Sequence, residues 1–160
     1  MPLAIIEAKD NKKSMGAGMQ QGMEYGEILD IPFIYSSNGD GFIEHDRFTG
    51  KERELALNEF PSPSELWTRY KEGRGIQPHE EKIVAEDYFF DMSGKSPRYY
   101  QRVAINRSVE AIAKGQNRIL LVMATGERVI IVTRCINAFK LRVSETLTKY
   151  ISSLLRVIKV

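Results

Sequence analysis

Blocks of apolar and polar residues near the start of the chain predict a strand followed by a helix. Residues 3–8 (LAIIEA) form an apolar run that predicts a mostly buried strand. The next segment is rich in glycine and methionine, but its apolar residues recur at helical spacing, which predicts a helix over residues 17–29. Gly18, Gly22 and Gly26 are four apart on that helix. They fall along one face, where they would let the helix lie close against a sheet.

Two short apolar stretches then flank Asn38-Gly39-Asp40-Gly41, a sequence typical of a tight hairpin turn. They predict a strand, a turn and a second strand, and the following "RFTGKER" (47–53) is interpreted as a further turn. Together with the first strand and helix, residues 1–48 predict a compact β-α-β-β unit of the α/β class.

Capping residues predict the next helix, and a polar segment follows it. Ser62 can cap a helix that begins at Pro63, and Glu65 completes a capping box. Residues 71–96 are polar and contain several glycines, which predicts a linker with room for a short element around Ile83 to Phe90.

A second unit is predicted to begin near Pro97. Residues 98–114 have the spacing of an amphipathic helix, and "RILLVMATG" at 118–126 predicts a buried strand that leads into a glycine turn. The final stretch predicts another helix, because its apolar residues recur at helical spacing (Leu147, Ile151, Leu154, Leu155 and Ile158).

Composition and charge are those of an ordinary globular protein. The chain has 160 residues, of which 42% are hydrophobic and 28% charged, so it can bury a sizeable core. A net charge of +2 does not by itself imply a nucleic-acid partner, and small basic clusters such as Lys9, Lys12 and Lys13 are common on solvated surfaces. The single cysteine excludes a disulfide framework. Because no apolar run approaches the length of about 20 residues that spans a bilayer, we expect a cytoplasmic protein without a membrane partner.

Glu7 and Lys9 carry the first candidate chemistry. Side chains two apart in a strand point the same way, so the carboxylate and the ammonium share one side of the strand. A carboxylate can hold Mg²⁺, and a neighbouring lysine can orient the attacking water or stabilise developing negative charge. The alternative is an ion pair at a sheet edge, because Glu-x-Lys is short and common.

Gln21 and Tyr25 make the catalytic interpretation more specific. They lie four apart on one helix face, directly after the Glu-x-Lys strand. With "PLAIIEAK" and "YSSNGDGFIEHD", this order resembles the nuclease domain of the restriction subunit of type I restriction enzymes. That domain is of the PD-(D/E)xK class and has a Gln-x-x-x-Tyr helix like that of the RecB-type nucleases. The resemblance implies that Glu7 binds the metal, that Lys9 assists the attacking water, and that the two helix residues support the site or contact DNA.

The second half of the chain is similar to the start of the DNA-translocating, RecA-like motor of the same family. The resembling stretch is "PRYYQRVAINRSVEAIAKGQNRILLVMATG". It implies that Arg98 and Gln101 contact adenine, and that Thr125 and Gly126 open the phosphate-binding loop.

The resemblance therefore predicts a domain order. A truncated nuclease-like domain spans residues 1–70, a linker 71–96, the start of the motor 97–126 and a divergent tail 127–160. Implied cofactors are Mg²⁺ and ATP, and implied partners are double-stranded DNA and the modification and specificity subunits.

Two departures from the family pattern limit the predicted activity. The family's metal-binding Asp, on the strand before Glu-x-Lys, has no counterpart, and Gly126 is followed by "ERVIIVTR" in place of the Gly-Lys-Ser/Thr of a phosphate loop. We therefore predict a restriction subunit whose family cleaves DNA with Mg²⁺, coupled to ATP-driven translocation, but a chain that is itself an inactive fragment, in which the missing Gly-Lys-Ser/Thr argues against ATP binding. One alternative is a non-catalytic remnant that binds DNA or partner subunits. Another is an unrelated intracellular α/β protein, in which Glu7 and Lys9 would lie far from Gln21 and Tyr25.

Overall fold

The computed structural model describes residues 1–86, 97–116, 119–123 and 155–159, the last five and Met123 as backbone only. The chain divides into two compact units, Met1–Gly75 and Ile76–Val160. Both contain helices and strands, which confirms the predicted α/β class. Within the described residues, no helix combines the length and the apolar character needed to cross a bilayer.

The first unit is built on a four-stranded mixed sheet in the order β1-β2-β3-β4. Strand β1 is parallel to β2, and the other neighbouring pairs are antiparallel, so β1 and β4 form the two edges. In chain order the elements are β1 (Ala4–Ala8), a 3-10 turn (Met15–Gly18), α1 (Met19–Leu29), β2 (Phe33–Ser37), β3 (Gly41–Asp46), β4 (Lys51–Ala56), a second 3-10 turn (Leu57–Glu59) and α2 (Pro63–Arg74). The predicted β-α-β-β order is confirmed.

Strand β2 is the centre of this unit, and all five of its residues are buried. Side chains alternate between the two faces of a strand. Ile34 therefore points towards α1, where it lies against Gly22 and Gly26. Phe33 points to the other face, where the guanidinium of Arg69 from α2 lies 4.4 Å from its ring centroid. The two helices thus cover opposite faces of the sheet.

Local signals fix the ends of the two helices. Asp30 adopts a left-handed conformation (φ 56°) and ends α1, and Arg47 Nη1 donates a hydrogen bond of 2.8 Å to the carbonyl oxygen of Gly26. Helix α2 begins as predicted, with the backbone N–H of Glu65 donating to Ser62 Oγ at 3.2 Å.

The interpretation of residues 47–53 as a turn was wrong. The turn covers residues 47–50, and β4 begins at Lys51 and pairs with β3 along its whole length. Only Leu55 of β4 is buried. Because the other residues of this edge strand are exposed and mostly charged, the strand lacks the apolar alternation from which strands are predicted.

The second unit contains α3 (Pro78–Val84), α4 (Tyr99–Ala113), β5 (Ile119–Met123) and β6 (Leu155–Lys159). Helix α3 packs on α4, whose Ile105, Val109 and Ile112 are buried at helical spacing. The helix predicted over 98–114 is confirmed. Strand β5 confirms the described part of the predicted strand but not its burial, because Leu120 and Val122 are each 61% exposed. The predicted linker contains the end of α2 and all of α3, and residues 87–96 lie outside the described residues. The predicted domain limits stay predictions.

The helix predicted for the final stretch is wrong at residues 155–159. These residues form β6, which runs parallel to β5 with Leu121 opposite Val157. A short apolar run fits helical and strand spacing equally well, and Val157 and Ile158 are β-branched residues that favour strands. The rest of the predicted tail, apart from this strand, lies outside the described residues.

Candidate active site

Strand β1 ends at the first pair of predicted site residues. Glu7 lies opposite Ser36 of β2, and the backbone N–H of Lys9 donates to the carbonyl oxygen of Ser37 at 2.8 Å, which extends the pairing past the end of the strand. Lys9 Nζ lies 2.8 Å from Glu7 Oε1, with 28% and 19% of the two side chains exposed. The two side chains thus lie on the same side of the strand, as predicted, and each is only partly exposed to water.

Helix α1 brings the second pair of predicted residues to the same place. Lys9 Nζ also donates to Gln21 Oε1 at 2.8 Å, and Gln21 Nε2 donates to the hydroxyl oxygen of Tyr25 at 3.0 Å. Glu7, Lys9, Gln21 and Tyr25 therefore form one continuous row of hydrogen bonds across β1 and α1. This is the opposite of the separation that an unrelated protein was expected to show.

Glycines on α1 allow this close approach. A Cβ atom on Gly18 would lie 2.7 Å from Glu7 Cγ, and one on Gly22 would lie 2.8 Å from Ile34 Cγ2. A Cβ atom on Gly26 would come closer still to Ile34, at the end of the isoleucine side chain. The prediction that glycines four apart let this helix lie against the sheet is confirmed, and the contact at Gly18 sets the helix directly beside the candidate carboxylate.

Ser36 fixes the start of the helix and was missed from the sequence. Its side chain is fully buried, accepts a hydrogen bond of 3.0 Å from the backbone N–H of Gly18 and donates one of 2.5 Å to the carbonyl oxygen of Met15. It thereby joins β2 to the 3-10 turn before α1. No local pattern marks it, because a serine next to another serine in a strand carries no sign of a partner many residues earlier.

A second cluster of charged residues lies on the other face of the sheet and was also missed. The carboxylate of Glu44, 2% exposed, receives two hydrogen bonds from Arg69 (2.7 and 3.0 Å), two from Arg53 (3.0 and 3.2 Å) and one from the Tyr35 hydroxyl. Burial alone would raise the pKa of this carboxylate, but these hydrogen bonds outweigh it and lower the pKa from 4.5 to about 2. Burial and the same carboxylate raise the pKa of the tyrosine well above its usual range. This buried cluster ties α2 and β4 to β3.

Similarity to known proteins identifies the family to which these features belong. No protein-family model matches the chain. The chain is 51% identical over 130 residues, 79% of its length, to the type I restriction enzyme EcoAI endonuclease subunit of Escherichia coli. It is 27% identical, across 78% of its length, to the EcoKI endonuclease subunit of the same species. A solved fragment structure assigned to an HsdR subunit of a type I restriction enzyme from Vibrio vulnificus covers 87% of the chain, with a TM-score of 0.78 and 38% identity. This chain belongs to the family of type I restriction endonuclease subunits.

The chain matches only part of these relatives. It spans 16% of the EcoAI endonuclease subunit, 14% of the EcoKI endonuclease subunit and 26% of the Vibrio chain. Family membership therefore applies to this stretch of a longer relative, and the activities of a whole restriction endonuclease subunit are proposed for it below.

The candidate site fits one part of the Mg²⁺ site that the family implies. Glu7 Oε1 accepts from Lys9, and its Oε2 accepts no hydrogen bond from the described residues. A carboxylate oxygen is the kind of ligand that Mg²⁺ prefers, and this ion is usually held by one or two carboxylates together with phosphate oxygens and water. The described residues contain no group of three or more His, Cys, Asp or Glu side chains able to hold a metal. Glu7 can thus supply one protein ligand.

The residues expected to contact adenine are only partly described. Arg98 is exposed just before α4, and its backbone N–H donates to Gln101 Oε1 at 2.9 Å. Gln101 is buried, and its amide oxygen is used here to cap the helix. Thr125 and Gly126 lie outside the described residues. The structure therefore shows a helix-capping use for Gln101, and adenine contact stays a prediction.

Proposed function

We propose that this chain contributes the Glu-x-Lys and Gln-x-x-x-Tyr part of a PD-(D/E)xK nuclease site in a type I restriction endonuclease subunit. The observation that carries the proposal is the row of hydrogen bonds from Glu7 through Lys9 and Gln21 to Tyr25. The substrate is double-stranded DNA, and the partners are the modification and specificity subunits in the cytoplasm. Family membership at 51% identity supports this assignment.

Each side chain of the row has a role that follows from its contacts. Glu7 would hold Mg²⁺ through its carboxylate, and the ion would supply the Lewis acid that polarises the phosphate and lowers the pKa of a bound water. An ammonium group has three N–H donors, and Lys9 uses one on Glu7 and one on Gln21. The third is available for the attacking water or a phosphate oxygen.

The two helix residues position the lysine. The side-chain oxygen of Gln21, Oε1, accepts a hydrogen bond from the Lys9 ammonium. The side-chain nitrogen of Gln21, Nε2, donates one to the hydroxyl oxygen of Tyr25. This pair of contacts fixes which way the amide points, so that an oxygen and not an NH₂ group faces the ammonium. Tyr25 thereby acts on the reaction through Gln21, as a positioning residue.

For the second unit, we propose from family membership alone that residues 97–126 are the start of a RecA-like motor. The succession of α4 and β5 agrees with this. In this structure Gln101 caps its own helix.

A second candidate function is DNA or subunit binding without cleavage. The described residues offer Mg²⁺ the single carboxylate of Glu7, so the remaining ligands would come from DNA and water. If these do not hold the ion tightly enough, the surfaces around the site still bind partners while no phosphodiester bond is broken.

The test compares plasmid cleavage by the full chain with and without the modification and specificity subunits, in Mg²⁺ and ATP. We expect Glu7→Ala to abolish cleavage and Lys9→Ala to lower its rate about 10²–10³-fold, the usual cost of losing one donor that stabilises developing charge. The matched control is Glu27→Ala, which removes an exposed carboxylate from helix α1. We expect this variant to keep the wild-type rate.

A calorimetric titration with Mg²⁺ checks the metal site separately. Binding is expected in wild type and absent in Glu7→Ala. Cleavage that survives in Glu7→Ala would place the metal ligand elsewhere. No cleavage by wild type even with its partner subunits would refute the endonuclease proposal and favour the second candidate.

A further inference from the structure

The loop between β1 and α1 is folded into a tight turn directly after Lys9. Asp10 Oδ1 accepts a hydrogen bond of 2.8 Å from the backbone N–H of Lys12, and the carbonyl oxygen of Asp10 accepts one of 2.9 Å from the backbone N–H of Lys13. An aspartate that bonds the backbone two residues on is a common way to fix a turn. The carboxylate of Asp10 is thus used inside the loop.

The other end of the loop is attached to the sheet. The buried side chain of Asn38, in the hairpin between β2 and β3, donates 3.0 Å hydrogen bonds to the carbonyl oxygen of Lys13 and to Asp40 Oδ2. The backbone carbonyl oxygen of Ser14 then accepts a hydrogen bond from the backbone N–H of Ala17 at the start of the 3-10 turn. The loop is therefore held at both ends by the elements that carry the candidate site.

The side chains of Lys12 and Lys13 are exposed. In the part of the chain that the structure describes, neither ammonium takes part in a hydrogen bond or an ion pair. Asp10, within the loop, accepts a hydrogen bond from a backbone N–H, and Asp40 accepts one from Asn38, which also holds the carbonyl oxygen of Lys13. Glu7 is paired with Lys9. The loop thus presents two cations to solvent next to a site whose own charges are balanced.

We propose that this lysine loop, residues 10–14, binds the phosphate backbone of the DNA duplex beside the site of cleavage, through Lys12 and Lys13. The inference rests on DNA as the proposed substrate. Consecutive Cα atoms are about 3.8 Å apart, so the Cα atoms of both lysines lie within about 15 Å of that of Lys9. Duplex DNA carries one phosphate charge per about 1.7 Å of its axis, so phosphates a few base pairs from the scissile bond come within reach.

Such contacts have a measurable signature in the salt dependence of binding. Each phosphate neutralised by a lysine adds about 0.9 to the slope of log K against log salt concentration. Fluorescence anisotropy of a labelled blunt duplex with the full 160-residue chain, at about 50 to 200 mM salt and without Mg²⁺, gives this slope. We expect Lys12→Ala/Lys13→Ala to reduce its magnitude by about 2.

Two controls distinguish an effect of the loop lysines on DNA binding from the effect of removing any positive charge. Lys12→Arg/Lys13→Arg keeps both cations and is expected to keep the slope. Lys51→Ala removes an exposed lysine from β4, at the other edge of the sheet, and is expected to leave the slope unchanged.

Because DNA binding is measured without cleavage, the result can refute the proposal for the loop without refuting the endonuclease proposal, and the reverse. A lower slope in the double alanine variant supports the loop even if the chain cleaves nothing. An unchanged slope, an equal effect of Lys51→Ala, or no DNA binding by wild type overturns it. An unchanged slope together with weaker binding of the modification or specificity subunit would assign the loop to a protein partner.

Discussion

Replacing Glu44 with glutamine is expected to cost the first unit about 3 kcal/mol of unfolding free energy at neutral pH. Glutamine keeps the shape of the side chain but removes the charge that two guanidinium groups and a tyrosine hydroxyl surround. A folded-state pKa of about 2 against an ordinary 4.5 corresponds to about 3 kcal/mol, at about 1.4 kcal/mol per pKa unit. The Glu44 side chain is 2% exposed, so solvent hardly screens its interaction with the two guanidinium groups. Breaking a buried ion pair from one side costs about 3–5 kcal/mol in other proteins.

The pH dependence has a definite sign. Because the folded-state pKa of Glu44 is below its unfolded value, its stabilisation is complete above about pH 4.5 and is lost as the pH falls towards 2. The difference in unfolding free energy between wild type and Glu44→Gln should therefore shrink over that interval. Contributions from groups that do not contact Glu44 or its partners cancel in the difference.

Urea unfolding followed by tryptophan fluorescence measures this free energy in the first unit. Trp67 is the single tryptophan of the chain, and its ring stacks on Tyr70 with centroids 5.5 Å apart. Glu52→Gln is the matched control, because Glu52 pairs with His45 on the same sheet but is 56% exposed; such a pair contributes about 0–1 kcal/mol. A loss below about 1 kcal/mol for Glu44→Gln, or a difference that does not shrink in acid, would refute the reasoning.

Two further predictions use urea unfolding of the same unit. Arg69→Lys is expected to lose more stability than Arg53→Lys, because 21% of the Arg69 side chain is exposed against 50% for Arg53, and each loses a two-bond contact with Glu44; equal losses would contradict this. Gly18→Ala is expected to cost about 1–3 kcal/mol and to slow cleavage, because the added methyl group meets the stem of Glu7 and pushes the helix away. A variant with wild-type stability and rate would show that the helix adjusts freely.

The two halves of the candidate site could be predicted from local spacings, and the resemblance to restriction subunits predicted that they belong to one site. Glu7 and Lys9 are two apart on a strand, and Gln21 and Tyr25 are four apart on a helix, so each pair has a known geometry. That the two pairs meet depends on the glycine face of α1, which was also visible in the sequence. The role of Ser36 in holding the start of the helix could not be predicted, because its hydrogen-bond partners are 18 and 21 residues away in sequence.

The missed features share a physical cause. Strand β4 pairs through its backbone and carries exposed charged side chains, so hydrophobic patterning does not reveal it. The buried carboxylate of Glu44 depends on Arg69, 25 residues away in sequence, and nothing local indicates that a glutamate in a strand is buried. The error at residues 155–159 is different, because a short apolar run is compatible with either period and the neighbouring strand β5 decides the outcome.

The glycine face of α1 also determines how much the site has left to organise when a substrate arrives. Because a Cβ atom on Gly18 would meet the stem of Glu7, the helix contributes no side chain of its own between its backbone and the strand at this point. Ordering a flexible side chain on binding costs about 0.5–1.5 kcal/mol, and here that cost is met during folding. The third donor of the Lys9 ammonium can meet a substrate group while its hydrogen bonds to Glu7 and Gln21 stay in place. The proposed site is thus preorganised before any substrate arrives.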